Sequence, residues 1–280
     1  MATHRTDSGW PGDGRSDDDL ADRGSPVLAP CSLEGAALQL DPYAGCGHQC
    51  GYCYALAQEG GGWLDVVRGY DGLARRLERE LSTLEPQSIY LGWYSDPYQP
   101  MEVERRDTRS ALRVLSEAGF SATILTKSDL VTRDLDLLAA MPAASVGVSL
   151  AFTEEPTRRL FEPGAPPNAS RIEALRAATA AGIDAYALVC PVMPYLTDVP
   201  ALLKSVLGVA DRVWAYRFEV RDQGSRNWGN VLALIEKAFP EIEGRFVEAT
   251  LDAEHAYWCE ERRVARDAAA TLGVNLRVEF

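Results

Sequence analysis

The feature that most narrows the folds open to this chain is a repeated alternation. From Cys31 onward, short β-branched, aromatic or aliphatic runs are each followed by a longer stretch with apolar residues at helical spacing. The pattern predicts strands over 38–40, 88–94, 122–126, 146–150, 185–189 and 213–220. Between them, Leu73, Leu77, Leu81 and Leu84 share one helix face, and Ala111, Leu112, Leu115 and Ala118 share another, stopped by Gly119. Thr132 reads as the cap of a helix carrying Leu135 and Leu138, and Ser170 as the cap of one carrying Ile172 and Leu175, ended by Gly182. Pro200 opens a helix with Leu203 and Val206, and another starts near Asn230. Six such units imply an α/β protein with parallel strands joined by crossovers. An open doubly wound sheet and a partial or full (β/α) barrel both satisfy the pattern. In either, functional groups collect at the carboxyl ends of the strands.

The flanks read differently. Residues 1–30 hold six Asp against three Arg, with Asp17, Asp18 and Asp19 in a row, and few large apolar side chains. Such a segment buries too little to offset its ordering entropy, so a disordered acidic tail is expected there. Residues 31–250 form the expected core. Residues 251–280 form an extension packed on it: a helix (Tyr257, Val264, Ala268) stopped by Gly273, then an alternating strand. The best uncharged stretch, 137–152, is broken by Pro142, so no membrane span is expected. No basic-then-apolar leader opens the chain, which points to the cytoplasm. Acidic residues outnumber basic ones 41 to 28; the net charge of −13 becomes −10 without the six Asp and three Arg of the tail. That balance disfavours a generic nucleic-acid coat.

Three of the six cysteines fall in Cys46-Gly-His-Gln-Cys50-Gly-Tyr-Cys53, just after the first strand. Thiolates this close are normally held by a metal. Structural zinc usually takes a second Cys-x-x-Cys pair, which is lacking, and His48 sits too tightly inside the loop to complete a tetrahedron easily. Three cysteines suit an iron–sulfur cluster with one iron left open. Other unusual residues fall at strand ends: Ser95 and Asp96 after the second, Thr126, Lys127 and Ser128 after the third, Ser149 late in the fourth, Cys190 ending the fifth. Cys31 and Cys259 have no evident redox role.

Together these motifs resemble the radical S-adenosylmethionine (radical SAM) superfamily, and within it the spore-photoproduct-lyase-like branch of the DNA-repair-photolyase type. The resemblance rests on Asp-Pro-Tyr-Ala-Gly-Cys at 41–46, Tyr-Cys-Tyr-Ala at 52–55, Ser-Asp-Pro-Tyr-Gln-Pro-Met-Glu at 95–102 and Thr-Lys-Ser at 126–128. Arg-Asp-Leu-Asp-Leu-Leu at 133–138, Val-Ser-Leu at 148–150, Glu-Pro-Gly-Ala-Pro-Pro at 162–167 and Arg171 extend it. It implies a partial (β/α)6 TIM-type barrel with the iron–sulfur loop after the first strand, and a 4Fe–4S cluster on Cys46, Cys50 and Cys53. It also implies SAM on the open iron, cleaved reductively to a 5′-deoxyadenosyl radical that abstracts hydrogen from a substrate. An electron donor such as flavodoxin or ferredoxin would be required. Ser95, Lys127 and Ser149 match positions that hold SAM, Lys127 suiting its carboxylate as a point charge, and Tyr52 would pack near the adenine.

Several residues remain candidates. Tyr54 and Cys190 carry O–H and S–H bonds able to return a hydrogen atom to a substrate radical. Glu162 and Arg171 would clamp a ligand or pair with each other, and Arg217 and Glu219 would face into the barrel. The chain departs from true spore photoproduct lyases in one respect above all: they carry a cysteine just before the strand-two serine, where this chain has Leu91-Gly92-Trp93-Tyr94. Asp41 also stands where the branch often has asparagine. With a charge of −13, and Arg105, Arg106 and Arg109 as its candidate basic cluster, the substrate is left unassigned. A thymine-photoproduct lyase acting on DNA is the alternative. A non-catalytic iron–sulfur or zinc protein is the alternative of another class.

Overall fold

The structure, a computed structural model, describes residues 26–33, 35–57, 66–210 and 212–280. Strand β1 (Leu28–Pro30) lies antiparallel to β2 (Leu38–Leu40). A separate two-stranded ladder, β3 (Tyr43–Ala44) and β4 (Arg68–Gly69), leads into and out of the cysteine segment. There follow β5 (Ser88–Leu91), β6 (Ser121–Thr126), β7 (Ser145–Leu150), β8 (Asp184–Val192), β9 (Arg212–Arg217) and β10 (Asn275–Glu279). The main sheet runs β1-β2-β5-β6-β7-β8-β9-β10, and every pair beyond β1–β2 is parallel.

Spatial order therefore follows chain order from β2 to β10 without reversal. A doubly wound sheet reverses at a switch point; an unreversed order keeps the crossovers on one face and curls the sheet towards a barrel. Strands β1 and β10 each pair on one side only, so the barrel stays open. Strands β2 and β5–β9 make the six-stranded partial barrel, and β10 extends it as a seventh parallel strand.

The sheet's two faces differ because successive strand residues point to opposite sides. Ile89, Leu91, Ala122, Ile124 and Val146 are fully buried, packed with Leu77, Leu112 and Leu115 of helices Leu73–Leu81 and Asp107–Glu117. Val148, Ala187, Val189 and Ala215 pack likewise with Leu202, Leu203 and Trp258 of helices Val199–Ser205 and Ala256–Leu272. Each such leucine contributes about 1.5–3 kcal/mol by leaving water. The alternate residues, Tyr90, Thr123, Leu125, Ser149, Tyr186, Leu188, Cys190, Trp214 and Tyr216, line the concave side.

Four local expectations are corrected. The tail expected over 1–30 gives way before its end: Val27, Leu28 and Ala29 are buried, and the Val27 and Leu28 amides donate to Glu80 at 2.8 and 3.0 Å. The rest of that expectation, residues 1–25, lies outside the described residues. The second strand stops at Leu91 because Gly92 adopts φ 102° and a Cβ there would stand 2.2 Å from the Leu125 carbonyl oxygen. Ser128, not Thr132, caps the next helical segment, accepting from the Leu130 amide at 3.3 Å, while Thr132 lies inside the 3-10 turn Asp129–Asp134. Ser170 lies within helix Asn168–Ala180, whose N-cap is Pro167.

Candidate active site at the cysteine loop

The cysteine loop is held by residues from two later loops and the end of one helix. Gln99, fully buried, accepts from the Gly47 amide at 2.7 Å and donates to the Gly45 carbonyl at 2.9 Å. The Gly51 amide donates to the Phe161 carbonyl at 2.9 Å. Gly164 sits directly on the loop: its amide donates to the His48 carbonyl at 3.0 Å, and its own carbonyl lies 3.0 Å from His48 Nδ1. The other imidazole nitrogen, Nε2, lies 3.3 Å from Asp96 Oδ2. His48 is thus a brace between loops.

Cys46 and Cys50 are buried and Cys53 half-buried; all six cysteines of the chain are free thiols. Burial pushes the Cys46 thiol up to about 12 and lifts those of Cys50 and Cys53, while the Lys127 charge draws the latter two down. Deep thiols of this kind become thiolates only against added positive charge, which a bound iron cluster supplies. Among the described residues no three His, Cys, Asp or Glu side chains close round one point as the ligands of a single ion would. What fits a cubane, with one thiolate per iron, is the donor set.

Beside the loop, Lys127 follows the last residue of β6, and its Nζ donates to Ser149 Oγ at 3.1 Å. Ser149 Oγ in turn lies 3.2 Å from the Cys190 carbonyl oxygen. The ammonium stands 5.8 Å from the centre of the Tyr52 ring. Burial opposes its charge, but Cys50 as thiolate, Glu162 and Asp96 more than offset this and keep it cationic. Burial also works against the Asp96 carboxylate. The neighbouring His48, with hydrogen bonds from Thr126 Oγ1 (2.6 Å) and the Lys127 amide (2.7 Å), nonetheless holds it at about 2. Asp96 so fixes the backbone from which Lys127 projects. The Ser95 amide donates to Asp41 Oδ1 at 3.0 Å, leaving its buried hydroxyl with no partner among the described residues. A buried orphan hydroxyl is costly unless something bonds it, and SAM would offer a partner. Cys190 joins this group from β8; burial lifts its thiol to about 11, against the pull of Lys127.

Other candidates from the sequence have these surroundings. Tyr54 is 49% exposed, donates to the Trp93 carbonyl, and packs on Trp93 and Tyr94 with ring centres 6.5 and 5.8 Å away. It belongs to an aromatic wall with Trp93 and Tyr94. Strand β9 ends at Arg217, so Glu219 falls outside it, exposed and paired with Arg221 at 3.2 Å. Arg217 lines a cavity of about 320 Å³ with Glu279 and Phe280. Arg105 pairs with Asp107, and Arg109 with Asp134 and Asp136, so these two arginines of that cluster offer little free positive charge. The sequence alone does not single out Gln99, Gly164 and His48 as braces, although Gln99 and Gly164 lie inside motifs that carry the resemblance.

The model of the family "Radical SAM superfamily" matches residues 40–203. This chain belongs to that superfamily. Its chemistry is therefore that of a radical SAM enzyme, with a 4Fe–4S cluster and SAM as cofactors. Among its relatives is the uncharacterized protein MJ0683 of Methanocaldococcus jannaschii, 32% identical over 183 residues, 63% of this chain and 68% of that protein. The uncharacterized protein Rv2578c of Mycobacterium tuberculosis is 32% identical over 224 residues, 74% of this chain and 65% of that one. The chain thus spans about two thirds of these relatives' length. In fold it resembles a spore photoproduct lyase mutant with bound AdoMet and dinucleoside spore photoproduct. There the TM-score is 0.60 at 15% identity, covering 90% of this chain and 78% of the other. It also resembles Streptococcus suis SuiB bound to S-adenosylmethionine, with TM-score 0.55 and 14% identity, over 88% and 51% of the two chains. No described helix is long and apolar enough to cross a membrane.

Proposed function

We propose that Cys46, Cys50 and Cys53 hold the cluster, that Tyr52, Ser95, Lys127 and Ser149 bind SAM beside it, and that the substrate enters along the concave face. Bound together, cluster and SAM supply reductive cleavage of the sulfonium and abstraction of a substrate hydrogen atom. The chain's own part is positional. Lys127 offers a fixed charge to the SAM carboxylate, Ser149 and the orphan Ser95 hydroxyl offer hydrogen bonds, and Tyr52 offers a ring face. Cys190, kept as S–H by its burial, is better placed than the exposed Tyr54 to return a hydrogen atom. Six free thiols suit a reducing cytoplasm, where a flavodoxin or ferredoxin would deliver the electron.

The observation that carries this reading is the Lys127–Ser149–Cys190 group on adjacent strands beside two buried thiols and a third half-buried one. A merely structural metal loop has no use for such a group. The test is anaerobic reconstitution with iron and sulfide, then SAM with dithionite. Wild type, Cys31→Ser and Cys259→Ser should release methionine and 5′-deoxyadenosine, and Cys46→Ala, Cys50→Ala and Cys53→Ala should not. Equal release by all six proteins would sink the assignment.

A thymine-photoproduct lyase is the second reading, favoured by the likeness in fold to spore photoproduct lyase. Against it stands the charge of −13, and the arginines of β9 and β10 are partly spent, Arg212 on Asp184 and Arg277 on Glu279. Phosphate contacts supply most non-specific DNA affinity. Repair of a dinucleoside photoproduct by wild type but not by Cys46→Ala would establish it.

A further inference from the structure

One carboxylate near the cysteine loop does more than any single ligand role requires. Glu162 follows helix Glu155–Phe161, and it and Arg171 are both fully buried. Its Oε1 accepts from the Tyr52 hydroxyl, and its Oε2 accepts from Arg171 at 2.5 Å. Arg171 spends its remaining nitrogens on the Ser149 carbonyl at 2.8 Å and the Pro166 carbonyl at 2.9 Å. Glu162 therefore joins Tyr52, between two cysteines of the loop, to Ser149 on β7. Arg158, the next cation, stands 3.9 Å from Glu162 and already has Glu155 at 2.8 Å. Without Glu162, Arg171 and Lys127 would be two like charges in one buried region. Buried ion pairs are weak sources of stability, and apolar replacements are often as stable. The geometry is better accounted for by position than by stability.

We propose that Glu162 is the positioning residue of the SAM site, holding the Tyr52 ring and the Ser149 arm together, and that its negative charge lowers the cluster's reduction potential. This rests on the reading that Cys46, Cys50 and Cys53 carry the cluster. Two variants separate its two parts. Glu162→Gln removes one negative charge; Glu162→Gln/Arg171→Met removes the pair and leaves the net charge unchanged. Each reconstituted holoprotein is examined for iron content, for its potential by EPR-monitored titration, and for SAM affinity by equilibrium dialysis without reductant.

Glu162→Gln should load iron like wild type, shift to higher potential and bind SAM at least about tenfold more weakly. The double variant should return towards the wild-type potential and still bind SAM weakly, because the link from Tyr52 to Ser149 is gone. Should the single variant fail to fold with Arg171 unpaired, the double variant carries the test. A double variant with wild-type SAM affinity would reduce the pair to an ordinary ion pair and overturn the positioning role. An unmoved potential in Glu162→Gln would overturn the electrostatic role. A wild type that takes up no cluster would overturn the site assignment itself, a result distinct from either.

Discussion

Replacing Gly164 by alanine probes how rigidly the cysteine loop is held. A Cβ at Gly164 would stand 2.4 Å from the Gly47 carbonyl oxygen and 2.9 Å from both His48 Cα and His48 O. All three are backbone atoms, so no side chain can swing aside. Ordinary contact begins at 3.4 Å, and the loop must retreat by about 1 Å, the difference between 3.4 and 2.4. Overpacking of this kind costs about 1–3 kcal/mol. The two hydrogen bonds joining Gly164 to His48 add about 1 kcal/mol each if the retreat breaks them. The overpacking alone, about 2 kcal/mol, lowers Tm by roughly 4–8 °C in a chain of this size, and more if the bonds break. The larger effect should fall on the proposed cluster, since Cys46, Cys50 and Cys53 would have to meet one cubane. The assay is iron and sulfide content after anaerobic reconstitution, beside a thermal melt of the apoprotein. Gly229→Ala is the control: it lies in helix Arg226–Ala238 with nothing within 4 Å of its Cβ, and should be neutral or stabilising. If Gly164→Ala loads iron as wild type does and melts at the same temperature, the loop is compliant and the clamp is not a constraint.

Two further outcomes follow from the titrating groups. Asp96 has a folded value of about 2 against an ordinary 3.8, so its contribution of about 2 kcal/mol is present above pH 4 and lost as pH falls through 2. The gap in urea stability between wild type and Asp96→Asn should therefore narrow from pH 5 to pH 2; a constant gap would refute the shift. Cys190, lifted to about 11 by burial, has a thiolate fraction of roughly one in a thousand at pH 8. Mass spectrometry of the iodoacetamide-treated apoprotein should find exposed Cys259 modified first, with Cys190 reacting about tenfold faster per pH unit up to about 11. Equal rates at pH 8 would contradict its environment.

The barrel strands were legible because each is a short β-prone run followed by a helix-periodic stretch, and that signal is local. Periodicity alone left barrel and doubly wound sheet equal; the strand order separates them, and order depends on crossovers between distant segments. Boundaries failed where a distant group decided them. Trp93 and Tyr94 read as strand, yet the chain turns at Gly92 because the Leu125 carbonyl lies against it. Lys127, Ser149 and Cys190 were found because they are unusual residues at strand ends, where one topological rule places function. His48 reads from sequence as a poor ligand, and its role as a brace depends on Asp96 and Gly164, which lie far along the chain. Gln99 has the same character: it lies inside a motif of the family, but only the fold brings it to Gly45 and Gly47.

The clamps on the cysteine loop also impose an order on biosynthesis. Gln99 lies 52 residues beyond Gly47, and Gly164 lies 116 beyond His48. At 5–20 residues per second, the ribosome needs roughly 6 to 23 s to deliver the last of these after the loop itself has been made. Through that interval the three thiols are part of a nascent chain whose enclosing walls have yet to be translated. On the proposed ligands, iron delivered early would meet an unformed pocket, and cluster insertion would follow the emergence of β7 and the segment after it.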